Sequence, residues 1–148
     1  MGKPIASALV PGGVVEHLDL MAKTIFGEAR GEPLDGQAGV GWVIRNRAEH
    51  FGWWGVDIKS VCLKRLQFSC WNENDPNSAV IKAANLDQPM LLQCMGVAAL
   101  VLSGAALDPT GGATSYFRPG PNGEKPDWAD SLKFLTAIGN HMFYGGPR

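Results

Sequence analysis

Glu28-Ala29-Arg30-Gly31-Glu32 gathers two carboxylates and a guanidinium into one short run, the most concentrated offer of acid–base chemistry in the chain. Cleavage of a glycosidic bond needs a group that hands a proton to the leaving oxygen, and a carboxyl does this when its surroundings keep it protonated. Glu28 falls in the last turn of an expected helix, where the negative end of the macrodipole disfavours a carboxylate charge. Burial beside Phe26 acts in the same direction, and Gly27 leaves room for a bulky substrate. On an unbroken helix Glu28 and Glu32 would be neighbours at about 5–6 Å. Gly31 and Pro33 break it between them, so the spacing leaves their separation open. On these residues alone, Glu28 and Arg30 are equally what an ordinary solvated helix end supplies.

The elements that must hold this run are legible from periodicity. Val15, Leu18, Met21, Ala22, Ile25, Phe26 and Ala29 recur at helical spacing and predict a first helix over 15–29, ended by Gly31 and the residue before Pro33. Asp35 is the expected N-cap of a second helix running to His50. From Phe51 to Asn77 the chain is rich in Gly, Trp, Asn and Pro, which predicts irregular structure with a short helix at 57–62. Helices are expected over 77–85 and 90–107, with Pro76 and Pro89 at their starts. A short strand is expected over 113–118 and a loop over 119–126. Residues 131–144 fit helix or strand equally. Asn46 and Arg47 are read as polar anchors for the turn that carries Glu28.

Bulk properties exclude several classes. With 148 residues, 45% of them apolar, the chain suits one domain, expected over 15–148. Residues 1–14 are expected to be a flexible leader, because Pro4, Pro11, Gly12 and Gly13 interrupt an apolar run too short for an export signal. A net charge of −1 without a basic stripe argues against nucleic acid as a partner. The uncharged stretch Pro89 to Leu107 raises a membrane span, but its glycines and polar residues fit a buried helix enclosed by others. Stable membrane insertion is therefore not expected. Cys62, Cys70 and Cys94 lack metal-ligand spacing, and His17, His50 and His141 form no ligand pair, so no metal site is expected.

The run TIFGEARGEPLDGQAGVGWVIRNR, followed in order by VCLKRLQFSCWN, VLSGAALDPTGGATSYFRP and IGNHMFY, resembles the SleB-type cell-wall hydrolases, the family of spore-cortex-lytic enzymes and many phage endolysins. The resemblance spans Ala22 to Tyr144. It implies an α+β, mainly α, lysozyme-like fold with a small β-region, and a cleft whose general acid is the first glutamate of the EARGE motif, Glu28. By the same carry-over Gln67, Phe68 and Ser69, with Thr114 and Tyr116, are expected to line the cleft. Amides and hydroxyls suit N-acetyl and sugar hydroxyl groups, and Tyr116, Phe68 and Trp71 offer flat faces to sugar rings. Phe68 fits core as well as cleft, and Trp71 fits a cover over the helices. His141 matches the family too, yet its position among apolar residues suits a structural role.

The implied partner is bacterial peptidoglycan, cut at the β-1,4 bond between N-acetylmuramic acid and N-acetylglucosamine by a monomer without metal or organic cofactor. Lytic transglycosylation by one glutamate and hydrolysis by a Glu28-oriented water both remain open. Glu32 is the nearest second carboxylate, with capping or salt-bridging as its expected role. Two other classes compete: a non-catalytic glycan-binding module, and a structural phage component. The expected setting is a phage endolysin held in the host cytoplasm until it reaches the wall.

Overall fold

The centre of the computed structural model is α1 (Val14–Ala29), packed by α2 (Leu34–Glu49), α3 (Ile58–Leu63), α4 (Pro76–Ala83) and α5 (Pro89–Ser103). The structure describes residues 2–50, 52–64 and 67–147; Met1, Phe51, Arg65, Leu66 and Arg148 lie outside the described residues. Met21, Ala22 and Ile25 of α1 are fully enclosed, with Val40 and Ile44 of α2 and Val101 of α5 in the same core. Val15, read as the first residue of that apolar stripe, is 76% exposed, because the stripe meets its partners only from His17 onward.

Helix starts follow the sequence closely. Asp57 caps α3 by accepting from the Ser60 N–H, while the Ser60 hydroxyl accepts from the Asp57 N–H, a reciprocal capping box. Asp75 caps α4 ahead of Pro76. Helix α2 begins two residues earlier than expected: Pro33 occupies the cap position and Asp35 lies in the first turn, where its charge suits the dipole. Helix α5 stops at Ser103, short of 107, because Gly104 takes a left-handed conformation with φ 77°. A Cβ there would collide with the Lys3 carbonyl oxygen.

That close approach reveals where the first residues go. The Gly2 N–H donates to the Gly104 carbonyl and the Ile5 N–H to the Leu102 carbonyl, and Leu9 and Val10 join the helical core. Residues expected as a flexible leader therefore run along the end of α5 and contribute apolar surface to the domain. Helix α5 itself buries Leu91, Cys94, Val97, Ala98, Val101 and Leu102 but leaves Leu92 and Leu100 exposed. It is enclosed on one face, not on all sides as expected. No helix among the described residues is long and apolar enough to cross a membrane.

The undecided C-terminal stretch is strand. β1 (Ser115–Phe117), β2 (Leu132–Ile138) and β3 (His141–Pro147) form an antiparallel sheet in the order β1-β3-β2, with Tyr116 opposite Phe143. Alternation divides its aromatics. Tyr116 and Phe143 face the helices, Phe143 reaching Val43 and Ala113. Phe117, Tyr144, Trp128 and Phe134 make a second cluster with ring centroids 5.5–5.7 Å apart. The sheet stands beside the α1–α2 turn and brings β1 against the end of α1.

Candidate active site

Glu28 is the second-last residue of α1, and its neighbour Gly27 explains why the helix can end there in a packed environment. A Cβ on Gly27 would lie 2.6 Å from Cys70 Cβ and 2.6 Å from Ile81 Cδ1. The missing side chain thus lets α4 and the 70–71 turn close against α1, a packing role beside the open approach expected from sequence. The Arg30 guanidinium folds back onto the Phe26 carbonyl at 3.1 Å and reaches Asn77 Oδ1 at 2.8 Å. From the other side the buried Gln37 amide donates to the Glu32 carbonyl at 3.3 Å and lies 3.5 Å from the Arg30 carbonyl. Gln37 and Arg30 hold the turn.

Asn46 and Arg47 anchor a different segment from the one expected. Asn46 Nδ2 donates to Asp108 Oδ2 and to the Ala113 carbonyl, both at 2.9 Å, and Arg47 Nε donates to the Thr114 carbonyl at 2.6 Å. They fix the loop before β1, and β1 carries Tyr116. The Tyr116 hydroxyl donates to Glu28 Oε1 at 2.7 Å. Loss of solvation, the Glu28 charge and this hydrogen bond hold the Tyr116 hydroxyl well above its usual value. It stays protonated and remains a donor across the working pH range. Burial pulls the Arg47 guanidinium down to about 10, still charged near neutrality.

Glu28, Gln67, Tyr116, Arg47, Asn77 and His141 line one part of a groove. It continues on one side past Trp53, Trp54 and Trp128 and on the other past Arg30, Glu32 and Arg118. Of the expected cleft residues, Glu28, Gln67 and Tyr116 are brought together. Phe68 is 1% exposed and packs in the helical core under the Arg47 guanidinium, 5.1 Å from ring centroid to charge. Thr114 is buried and acts through its backbone, its N–H donating to the Tyr144 carbonyl. Ser69 is exposed on a short 3₁₀ turn and is not among the groove-lining residues. Trp71 donates its indole N–H to Thr24 Oγ1 at 2.9 Å and covers the helices.

The groove's tryptophans were missed as individual residues. Trp53 and Trp54 lie in the stretch read as irregular binding surface, and Trp53 is 69% exposed, unusual for so large an apolar group. Trp128 and Arg118 reach the groove only through the sheet, which local spacing does not report. All three thiols are free and buried. Burial pushes Cys62 up to about 12. Burial and then the Glu28 charge push Cys70 upward as well, so neither is a nucleophile.

Glu32 is already occupied. Its Oε1 accepts from the Asn140 N–H at 2.7 Å and its Oε2 from Asn140 Nδ2 at 3.0 Å, in the turn between β2 and β3. Burial acts to raise its carboxyl, but these bonds and the nearby His141 and Arg118 outweigh it and hold it below its usual 4.5. His141 Nδ1 lies 3.9 Å from Glu32 Oε1, without a hydrogen-bond partner, and the His141 ring packs 4.8 Å from that of Tyr116. Burial holds His141 below its usual 6.5, with Glu32 opposing.

Both shifts have the same consequence. A depressed folded value means that the unfolded chain takes up the proton first as pH falls. Stability should be full above 6.5, decline below it as His141 is charged, and decline again below 4.5 through Glu32. Urea midpoints followed across pH 7 to 4 should show the first step in the wild type and lose it in His141→Gln. Identical profiles would remove His141 from the account. The Tyr116 hydroxyl is separable in the same way. Tyr116→Phe should lower kcat by about 10- to 100-fold, the worth of one hydrogen bond to a charged group, measured on released glycan fragments with thermal stability as control.

With this geometry in place, a family model described as Cell Wall Hydrolase matches residues 31–144. Glu28 lies just before that stretch. The spore cortex-lytic enzyme of Halalkalibacterium halodurans is 32% identical over 139 residues, covering 90% of this chain and 36% of that protein. The one from Bacillus cereus is 30% identical over 90% of this chain and 46% of its own length. The chain thus spans between about a third and a half of the curated relatives it matches. The crystal structure of the catalytic domain of the Bacillus cereus SleB protein superposes with a TM-score of 0.69 at 25% identity, covering 90% of this chain and 94% of that one. The catalytic domain of the germination-specific lytic transglycosylase SleB from Bacillus anthracis gives the same TM-score at 24% identity. The expected α+β, mainly helical, lysozyme-like architecture is the one these domains share with the chain.

Proposed function

The chain belongs to the cell wall hydrolase family, and from that premise we propose that it is a lytic transglycosylase that cuts peptidoglycan between N-acetylmuramic acid and N-acetylglucosamine, with Glu28 as its acid and base. The observation that carries the reading is the Glu28–Tyr116 hydrogen bond at the junction of a two-armed groove. Glu28 gives its proton to the bridging oxygen as the bond to the muramyl C1 breaks. The carboxylate left behind, steadied by the Tyr116 hydroxyl, takes the proton of the muramyl 6-hydroxyl as O6 closes on C1, leaving an anhydro sugar. One group returns to its starting state without an added reactant.

A second carboxylate is what retaining and inverting hydrolysis need, at about 5–5.5 Å or about 6.5–9.5 Å from the acid. Among the described residues that line this groove, the other carboxylate, Glu32, has both oxygens engaged by Asn140 and a side chain only 6% exposed. It is poorly placed to attack or to activate water, which favours the single-glutamate route over hydrolysis. Gln67 faces the groove beside Glu28 as an amide partner for an N-acetyl group, and Trp53, Trp54 and Trp128 supply stacking faces.

Mass spectrometry of fragments released from purified peptidoglycan tests the reading. Anhydro-muramyl ends support it; reducing ends mean hydrolysis. Strand binding without any fragments would return the chain to the glycan-binding class. The setting in a phage-infected host is a separate proposal, for which the matched spore cortex-lytic relatives supply no support. Lysis of host cells only when a membrane-permeabilising protein is co-expressed would bear it out.

A further inference from the structure

The two arms of the groove differ in charge. The aromatic arm, with Trp53, Trp54, Trp128 and Leu132, has no carboxylate among its described lining residues; its charges are cationic, the enclosed Arg47 and Lys64, whose Nζ lies 4.4 Å from the Trp53 ring centroid. The opposite arm is bounded by Arg30, Glu32, Asn77, Arg118 and His141, and most of these groups are already engaged. Arg30 is spent on the Phe26 carbonyl and Asn77. Glu32 is held by Asn140. His141, kept low by burial, is a neutral imidazole near pH 7.

Arg118 is different. It follows β1 directly, is exposed, and lines the groove at Glu28 and along the charged arm, not along the tryptophan arm. Among the described residues no carboxylate lies within ion-pair distance of its guanidinium. Its field nevertheless reaches into the arm, lowering both Glu32 and His141. A planar guanidinium left open over a groove is matched to an oxyanion, carboxylate or phosphate, and on a peptidoglycan glycan strand with its stems that anion is a carboxylate.

We propose that Arg118 binds the carboxylate borne on the lactyl side chain of the muramyl unit. This fixes the direction of the strand: the muramyl ring at the cleaved bond lies on the Arg118 side of Glu28, and the N-acetylglucosamine ring joined to it across that bond lies towards the tryptophan arm. That inference rests on the peptidoglycan-cleaving reading above. Two sources present the same chemistry at this place. One is the acid groups of an attached peptide stem; the other is the lactyl carboxylate itself, exposed when an amidase has removed the stem.

The test uses the full chain and three substrates: strands with intact stems, amidase-stripped strands, and stripped strands whose lactyl carboxyl has been converted to a methylamide. Arg118→Gln should raise KM by about three- to tenfold on strands with the recognised carboxylate, the worth of an open ion pair strengthened by fork geometry. It should leave kcat near wild type and the methylamide substrate unaffected. Arg118→Lys should recover part of the loss. An effect with intact stems alone assigns the stem; an effect that persists on stripped strands assigns the lactyl carboxylate. Equal changes on all three substrates, or a loss confined to kcat, would overturn the proposal. A wild type that cleaves none of them would instead overturn the enzymatic reading on which it rests.

Discussion

Glu28→Gln should abolish fragment release from peptidoglycan, a fall in kcat/KM of at least about 10³-fold, while strands still bind. The amide keeps the shape and volume of the carboxyl and still accepts from the Tyr116 hydroxyl, which now lies 2.7 Å from Glu28 Oε1. It has no proton to give to a leaving oxygen and no charge with which to take one back. Both half-reactions fail together, so the loss exceeds that of any residue that only orients Glu28. Fragment yield by mass spectrometry and strand co-sedimentation, on the same preparations, check the two halves. A variant that keeps a tenth of wild-type cleavage would move the acid elsewhere. Glu32→Gln is the companion: engaged by Asn140 on both oxygens, Glu32 should cost stability on replacement and leave kcat largely intact.

The difference between those two glutamates shows how far sequence reasoning reaches. Periodicity and prolines located the helices because these are local properties: the stripe from Met21 to Ala29 and the prolines at 76 and 89 act within a turn of their own position, whereas the cap read at Asp35 fell inside the first turn of α2. Glu28 was legible because it stands at a helix end inside a long motif. What Glu32 does was not, since its partner Asn140 is 108 residues away. The same limit explains Asn46 and Arg47. Their types announced anchors, but what they anchor, the loop before β1, is set by how the sheet returns to α2. Residues 131–144 resisted assignment because aromatics on both faces blur the alternation of a strand. Phe68 shows the converse limit. A motif position suggested the cleft while its type fitted the core as well, and burial decides for the core, where it supports Arg47 from beneath.

The second large effect is expected far from the acid, at Asp108, because Tyr116 can serve Glu28 only if β1 is held in place. Asp108 Oδ1 accepts from the Thr110 N–H at 2.8 Å and from its hydroxyl at 2.6 Å. Its Oδ2 accepts from Asn46 Nδ2 at 2.9 Å and from the Gly112 N–H at 3.0 Å. One carboxylate thus folds the 108–112 turn and ties it to α2, immediately before Ala113 and Thr114 are seized by Asn46 and Arg47. Asp108→Ala removes four bonds at once. At about 1 kcal/mol each the loss is about 3–4 kcal/mol, a large part of the stability of an ordinary domain, and Tm should fall by about 10 °C. Asp108→Asn should be nearly as harmful, since the amide nitrogen must face a donor on whichever side it is placed. Activity measured well below the new Tm should also drop, as β1 loses its register against α1 and the Tyr116 hydroxyl drifts from Glu28. A Tm shift under about 2 °C would mean that the turn is held by the sheet alone, and that the path from α2 through Asp108 to Glu28 carries no energy.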